Sequence, residues 1–174
     1  MTSTPHVRRA RPEDLRRIAE LAAEHAAYEQ AVPPPGDLAE RLAVLLFDGP
    51  SPRLRCFVAD PDPDPDPDPG SDPGSGSGSG SGSGAPIGYA TCAPELSTWD
   101  GAEYLHLDCL FLRDGHRGHG LGALLMDAVL GEARALGLAQ VQWQTPPWNT
   151  DAIRFYDRLG GRATTRQRYS LPSA

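Results

Sequence analysis

The stretch Leu112-Arg113-Asp114-Gly115-His116-Arg117-Gly118-His119-Gly120-Leu121-Gly122 decides the fold, because it joins a strand pattern to a helix pattern through a glycine-dense turn. Upstream, Tyr104 to Leu112 has strand character. Downstream, Leu121, Leu124, Leu125, Ala128, Val129, Ala133 and Leu136 recur at helical spacing and end at Gly137. Glycine at 118, 120 and 122 lets backbone approach a ligand without an obstructing Cβ, and the first N–H groups of a helix point outward at an anion. Strand, turn and helix together read as a cradle for a pyrophosphate.

Working outward, Val7 to Ala10 is expected as a first strand. A helix follows from about Pro12, where proline suits the first turn and Glu13 and Asp14 favour the dipole. Leu15, Ile18, Ala22, His25 and Tyr28 share its face, with His25 read as a core or boundary residue. Val32 to Gly36 breaks this helix and Asp37 to Phe47 supplies a second. Leu54 to Ala59 and Ile87 to Ala93 read as adjacent antiparallel strands. Beyond the third helix, Ala139 to Thr145 is expected as strand, Trp148 or Asn149 opens a fourth helix that stops at Gly160-Gly161, and Ala163 to Leu171 is expected as a last strand. The fold class is mixed α/β: a largely antiparallel twisted sheet of six to seven strands, about four helices, and one parallel β-helix-β unit.

Between the two hairpin strands, residues 61–84 run through Asp-Pro and then Gly-Ser repeats with no apolar anchor, the composition of a disordered segment. Loop-closure entropy grows only logarithmically with length, so such an insertion costs little. The tract is therefore expected to interrupt a single domain spanning 1–174 rather than to separate two. Calcium binding by its aspartates is disfavoured, because Asp-Pro repeats lack the turn-forming glycine and fixed geometry of calcium loops.

The net charge of −7 is mostly local. Asp60, Asp62, Asp64, Asp66, Asp68 and Asp72 belong to this tract, and setting these six aside from 23 acidic residues leaves 17 against 16 basic ones. Neither a nucleic-acid partner nor an anionic membrane is favoured. With no apolar run long enough to span a bilayer and no hydrophobic centre in residues 1–12, a cytoplasmic location is expected. Cys56, Cys92 and Cys109 are odd in number, lie in apolar segments and lack metal-ligand spacing, so they read as reduced thiols with no metal site.

The segment Arg117-Gly118-His119-Gly120-Leu121-Gly122 resembles the Arg/Gln-x-x-Gly-x-Gly/Ala acetyl-CoA signature of the GNAT family of N-acetyltransferases. Trp148-Asn149-Thr150-Asp151-Ala152-Ile153-Arg154-Phe155-Tyr156, followed by Leu159-Gly160-Gly161, is similar to that family's late Trp-Asn, Phe-Tyr and Leu-Gly-Ala motif. Together with Leu107 to Leu112 and Ala27-Tyr28-Glu29, they look most like the spermidine/spermine and thialysine branch. The resemblance covers nearly all of the chain outside the tract.

The resemblance implies acetyl-CoA as cosubstrate and direct attack by an amine in a ternary complex. The backbone of Arg117, Gly118, His119, Gly120, Leu121 and Gly122 would anchor the pyrophosphate. Phe111 and Leu112 would expose backbone groups to the pantetheine arm where their strand diverges from the next. Asn149 would cap a helix and contact the coenzyme. A primary amine with a pKa near about 10.4 is protonated at neutral pH and needs a base. Asp108 aligns with the branch's glutamate for that task, its shorter side chain suggesting relay through a water. His106, two residues earlier on the same strand face, is the alternative base. Tyr156 is the family's general acid for the departing thiolate.

The acceptor pocket would be built from Tyr28, Glu29 and Gln30 and from the cleft near Asp108 and Trp143. Cys109 stands where relatives often carry a second carboxylate, which weakens the case for a polyamine. The implied acceptor is a small primary amine: a polyamine, a diamine, a lysine analogue or an amine-bearing antibiotic. Protein or peptide N-acetylation and a non-catalytic acyl-CoA-binding regulatory module are the alternatives. Homodimerisation is an expectation carried by the branch alone.

Overall fold

The computed structural model describes residues 6–61 and 84–173. The expectations about disorder and calcium binding in the 61–84 tract lie almost wholly outside the described residues. The chain divides into two compact units, Met1–Trp143 and Gln144–Ala174.

The first unit holds five strands: β1 (His6–Arg9), β2 (Arg55–Asp60), β3 (Gly88–Ser97), β4 (Ala102–Leu112) and β5 (Val141–Gln142). They form one sheet in sequence order. Every pairing is antiparallel except β4 with β5, which are parallel and joined by the helix α3 (Leu121–Ala135). The expected hairpin is present, with Arg55 opposite Cys92 and Ala59 opposite Gly88. Every residue of β2 is buried, as its near-continuous run of apolar side chains requires for a strand covered on both faces.

Two helices cover one face. A 3-10 turn (Pro12–Asp14) leads into α1 (Leu15–Tyr28), and α2 (Leu38–Phe47) packs against α1. Ile18 and Leu21 of α1 and Leu42 and Leu46 of α2 meet Cys56, Val58, Tyr89 and Phe111 of the sheet in one cluster. Helix α3 packs on the sheet through Leu121, Leu125, Met126, Val129 and Ala133, all buried.

Charge also fixes the layers. Arg8 Nη1 binds Asp14 at 2.7 Å and its Nε binds Asp60 at 2.7 Å, tying β1 to the start of α1 and to the end of β2. Asp60 is thus the last residue of β2, its carboxylate buried against Arg8, rather than a member of the acidic tract. On the opposite side Glu132 of α3 holds Arg55 at 3.2 Å and also pairs with Arg9.

In the second unit α4 (Thr150–Arg158) is the fourth helix. It starts where Asn149 Oδ1 accepts the Ala152 N–H at 3.2 Å, and Gly160 follows its last turn at φ +84°. The count of six to seven strands is corrected to five among the described residues. Residues 163–171 carry no strand and every one is exposed; the polar run Thr164-Thr165-Arg166-Gln167-Arg168 has no apolar face to bury. The strand expected over 139–145 contracts to Val141–Gln142, where Pro146 and Pro147 close behind it and a proline cannot donate to a ladder.

Candidate active site

The glycine turn forms as the sequence requires. Gly115, Gly118 and Gly120 have φ of +83°, +84° and +84°, the left-handed region that side chains with a Cβ rarely enter. A Cβ built at Gly118 or Gly120 would meet nothing within 4 Å, so this backbone presents an open surface. Gly120 is the N-cap of α3, and no side chain caps it. The first N–H groups of the helix thus lack intrahelical partners and sit at its positive end, an arrangement suited to a phosphate. His119 is exposed on the turn, Leu121 is buried beneath it, and Gly122 lies in the first turn of α3.

Upstream of the turn the β3–β4 ladder carries an irregularity. Thr91 pairs with Cys109 and Cys92 with Leu107, so Asp108 has no residue opposite it. It occupies a β-bulge, the device by which a strand re-aims one side chain. The bulge shifts the face alternation: Cys109 packs against the α1/α2 cluster, while Leu107 pairs with Cys92, which lies in the electrostatic range of Glu132 on α3. Asp108 is exposed and accepts from Cys109 Sγ at 3.7 Å. His106 is half-buried and pairs with Gln142 of β5.

The β4–β5 pairing ends there. Leu105 faces Val141 and His106 faces Gln142, and β4 then continues to Leu112 with no strand beside it on that edge among the described residues. The pairing is two residues long, and Asp108 lies on β4 just beyond its last pair. Trp143 follows β5 directly and is half-buried. Phe111 and Leu112 are buried, so only their backbone can meet a ligand; the Leu112 carbonyl accepts from Arg117 Nε at 3.0 Å.

Arg117 also stacks its guanidinium 4.5 Å over the ring of Tyr28, the last residue of α1, and 5.8 Å from Phe111. The glycine turn and the end of α1 are thus in contact. Glu29 caps α1, and Gln30 takes φ +55°, the single non-glycine residue at positive φ among those described. Tyr28 and Glu29 therefore lie near the turn and strand β4, as an acceptor pocket would need.

Sequence reading gave His25 as a core or boundary residue and assigned no role to Tyr89. His25 stacks on Phe111 with centroids 5.0 Å apart, its Nδ1 lies 3.2 Å from the Tyr89 hydroxyl, and its Nε2 lies 3.4 Å from Glu29 Oε1. Burial holds the imidazole below its ordinary pKa, against the opposing pull of Glu29 and Asp108. Tyr89 in turn hydrogen-bonds Cys109, and burial pushes its phenol up. Burial, reinforced by the neighbouring Asp108 charge, pushes the Cys109 thiol up to about 11. No spacing could have revealed this cluster, because His25 and Tyr89 are 64 residues apart.

The remaining candidates belong to the second unit. Asn149 is the N-cap of α4, as expected. Tyr156 is half-buried on α4, its ring 5.2 Å from that of Phe155, and Trp148 is half-exposed just before the helix. Among the described residues no group of three or more His, Cys, Asp or Glu could hold a metal, and no helix is long and apolar enough to cross a membrane. The three cysteines are free thiols, Cys56 and Cys92 buried and Cys109 partly so.

Comparison with known proteins agrees with this geometry. Over 75 residues the chain is 31% identical to an L-ornithine N5-acetyltransferase of Arabidopsis thaliana, a match covering 43% of this chain and 33% of that protein. Over 63 residues it is 38% identical to a thialysine N-epsilon-acetyltransferase of Caenorhabditis elegans, covering 36% and 39% of the two chains. The chain thus matches well under half the length of these curated relatives. The crystal structure of a Trypanosoma brucei acetyltransferase superposes with a TM-score of 0.66 at 21% identity, over 97% of this chain and 100% of that one, a likeness of fold. The profile described as "Acetyltransferase (GNAT) family" matches residues 47–161, from the end of α2 through the glycines after α4, and the chain belongs to that family.

Proposed function

We propose that this protein is an acetyl-CoA-dependent N-acetyltransferase acting on a primary amine of a small molecule. The observation that carries the reading is that one strand, β4, bears the bulged Asp108 along its length and leads directly into the uncapped, glycine-built start of α3. The relatives support the acceptor class, since an ornithine N5-acetyltransferase and a thialysine N-epsilon-acetyltransferase are both named for an amine at the end of an amino-acid side chain. The family match crosses both compact units, which supports reading them as parts of one domain.

The residues divide the work as follows. The backbone from Arg117 to Gly122 holds the pyrophosphate at the positive end of α3. Bound acetyl-CoA supplies an activated acyl group and a thiol leaving group. The edge of β4 beyond His106, beside which no strand lies among the described residues, offers backbone groups to the rest of that molecule. Asp108, re-aimed by the bulge and open to solvent, takes the proton of the incoming ammonium through a water. Glu29 and Tyr28 receive the amine-bearing part of the acceptor. Tyr156 donates to the departing thiolate; with a thiol pKa near about 8.5 the leaving group needs only a well-placed phenol.

Tyr156→Phe tests the assignment of the acid. It is expected to lower kcat about 10²- to 10⁴-fold, the usual worth of a positioned acid, while the Kd for acetyl-CoA stays near that of wild type. An unchanged kcat would make Tyr156 a packing residue of α4.

A further inference from the structure

We propose that His25 is a positioning residue for the Asp108 carboxylate, acting through Tyr89 and Cys109, which link the two in one line of hydrogen bonds. The inference rests on the reading of Asp108 as the base. Its geometry is independent of that reading.

The line runs across three elements. Glu29 Oε1 stands at the half-exposed end, 3.4 Å from His25 Nε2 on α1. His25 Nδ1 lies 3.2 Å from the Tyr89 hydroxyl on β3. Tyr89 hydrogen-bonds Cys109 on β4, and Cys109 Sγ donates to Asp108 Oδ2 at 3.7 Å. The bulge makes it possible: it turns Cys109 toward the α1 face while Asp108 stays open to solvent.

Proton inventory gives the line a direction. Tyr89 and Cys109 each carry a single proton, and their raised pKa values keep both protonated. With His25 neutral and its Nε2–H on Glu29, Nδ1 is an acceptor and the Tyr89 O–H donates to it. The Cys109 S–H then reaches Asp108 with the Thr91 hydroxyl as the one donor behind it. With His25 protonated, Nδ1–H donates to the Tyr89 oxygen, the Tyr89 O–H turns to Cys109 Sγ, and every donor points toward Asp108. Hydrogen bonds in such a chain polarise one another. One proton gained at His25 thus tightens the hold on a carboxylate two side chains away, which makes it a poorer proton acceptor.

The groups facing His25 are Glu29 on its own helix, Tyr89 from β3, Asp108 from β4, and Arg117 from the turn. Desolvation lowers the pKa of His25, Arg117 lowers it further, and Glu29 and Asp108 oppose them. The neutral form is therefore the resting one at neutral pH.

The test needs no acetyl transfer. Protein labelled with carboxyl-¹³C aspartate is followed by NMR from about pH 8 to about pH 5, the span in which an imidazole titrates, with Asp108 assigned by the signal lost in Asp108→Asn. The Asp108 carbon is expected to shift in step with the His25 ring. Tyr89→Phe, which keeps the ring and removes the hydroxyl, should abolish most of that step while His25 still titrates. Cys109→Ala should do the same, and Cys109→Ser should restore it, so that a folding defect in one variant leaves the other to decide. A step that survives both Tyr89→Phe and Cys109→Ala would show that only the field of His25 reaches Asp108 through space, and would overturn the proposal, as would a wild-type protein with no step. A protein that shows the step yet transfers no acetyl group would count against the acetyltransferase reading alone.

Discussion

Arg117 lies with its guanidinium 4.5 Å over the ring of Tyr28, while its Nε donates to the Leu112 carbonyl at 3.0 Å. One side chain of the glycine turn therefore clasps the end of β4 and the end of α1, the helix that leads into the expected acceptor loop. A cation over an aromatic face contributes about 0.5–1 kcal/mol at an exposed site, and a hydrogen bond about 1 kcal/mol.

Arg117→Ala is accordingly expected to destabilise the fold by about 1–2 kcal/mol, read from urea unfolding. Tyr28→Leu should cost less, and the double variant should cost less than the two singles together, because each removes the same contact. Strict additivity would mean that the two residues act separately.

Gly120→Ala should lower stability by about 1–2 kcal/mol, because φ of +84° is unfavourable for any residue with a Cβ. It should also weaken binding of coenzyme A, measured by calorimetry, since the added methyl faces the open side of the turn. Gly131→Ala in the same helix is the control. Its Cβ would meet only the end of Arg134 at 3.8 Å, so it should gain about 0.5–1 kcal/mol in helix propensity and leave binding intact. Equal effects from the two substitutions would remove the argument for the left-handed cap.

Acid stability should depend on Asp14. Burial alone would raise its pKa, but the hydrogen bonds from Arg8 and from the Arg11 N–H outweigh burial and lower it. A group whose folded pKa is depressed contributes stability above its unfolded value, about 3.9, which is lost as pH falls through the folded value. Asp14→Asn leaves Arg8 with Asp60 as its remaining carboxylate partner. It should cost about 1.5–3 kcal/mol at neutral pH, the worth of hydrogen bonds to a charged group, and flatten the fall in stability on the acid side, as followed by thermal melts across pH. A fall as steep as that of wild type would place the acid sensitivity elsewhere.

His25 contributes in a different window. Its folded pKa is lowered, so the neutral form is favoured in the folded state. The stability this brings is complete above the unfolded value of about 6.5 and declines as pH falls from there toward the folded value.

The strand, turn and helix around residues 112–122 were legible because each announces itself locally: alternation, glycine, then a period of 3.6. The hairpin across the tract was legible for the same reason, although its strands are far apart in the chain. The bulge at Asp108 was not. Which residue of β4 is skipped depends on how Thr91 and Cys92 sit opposite, and a register is a property of two strands. Asp60 was assigned to the tract from composition, whereas Arg8 claims it for β2. The strand expected over 163–171 failed because β-forming threonines without an apolar face have nothing to bury. His25 and Tyr89 escaped notice because tertiary packing alone brings them together.

The central claim is acetyl transfer to a small primary amine, and its most direct test is the rate of free-thiol release from acetyl-CoA. Purified protein is mixed with a panel of diamines, polyamines, lysine analogues, amine-bearing antibiotics and peptides, with mass-spectrometric detection of the acetylated product. The account predicts release with at least one small amine, little with peptides, and a loss of about 10²- to 10⁴-fold in Asp108→Asn. Binding of acetyl-CoA with no release for any amine or peptide would contradict it and leave a protein that holds the thioester without using it.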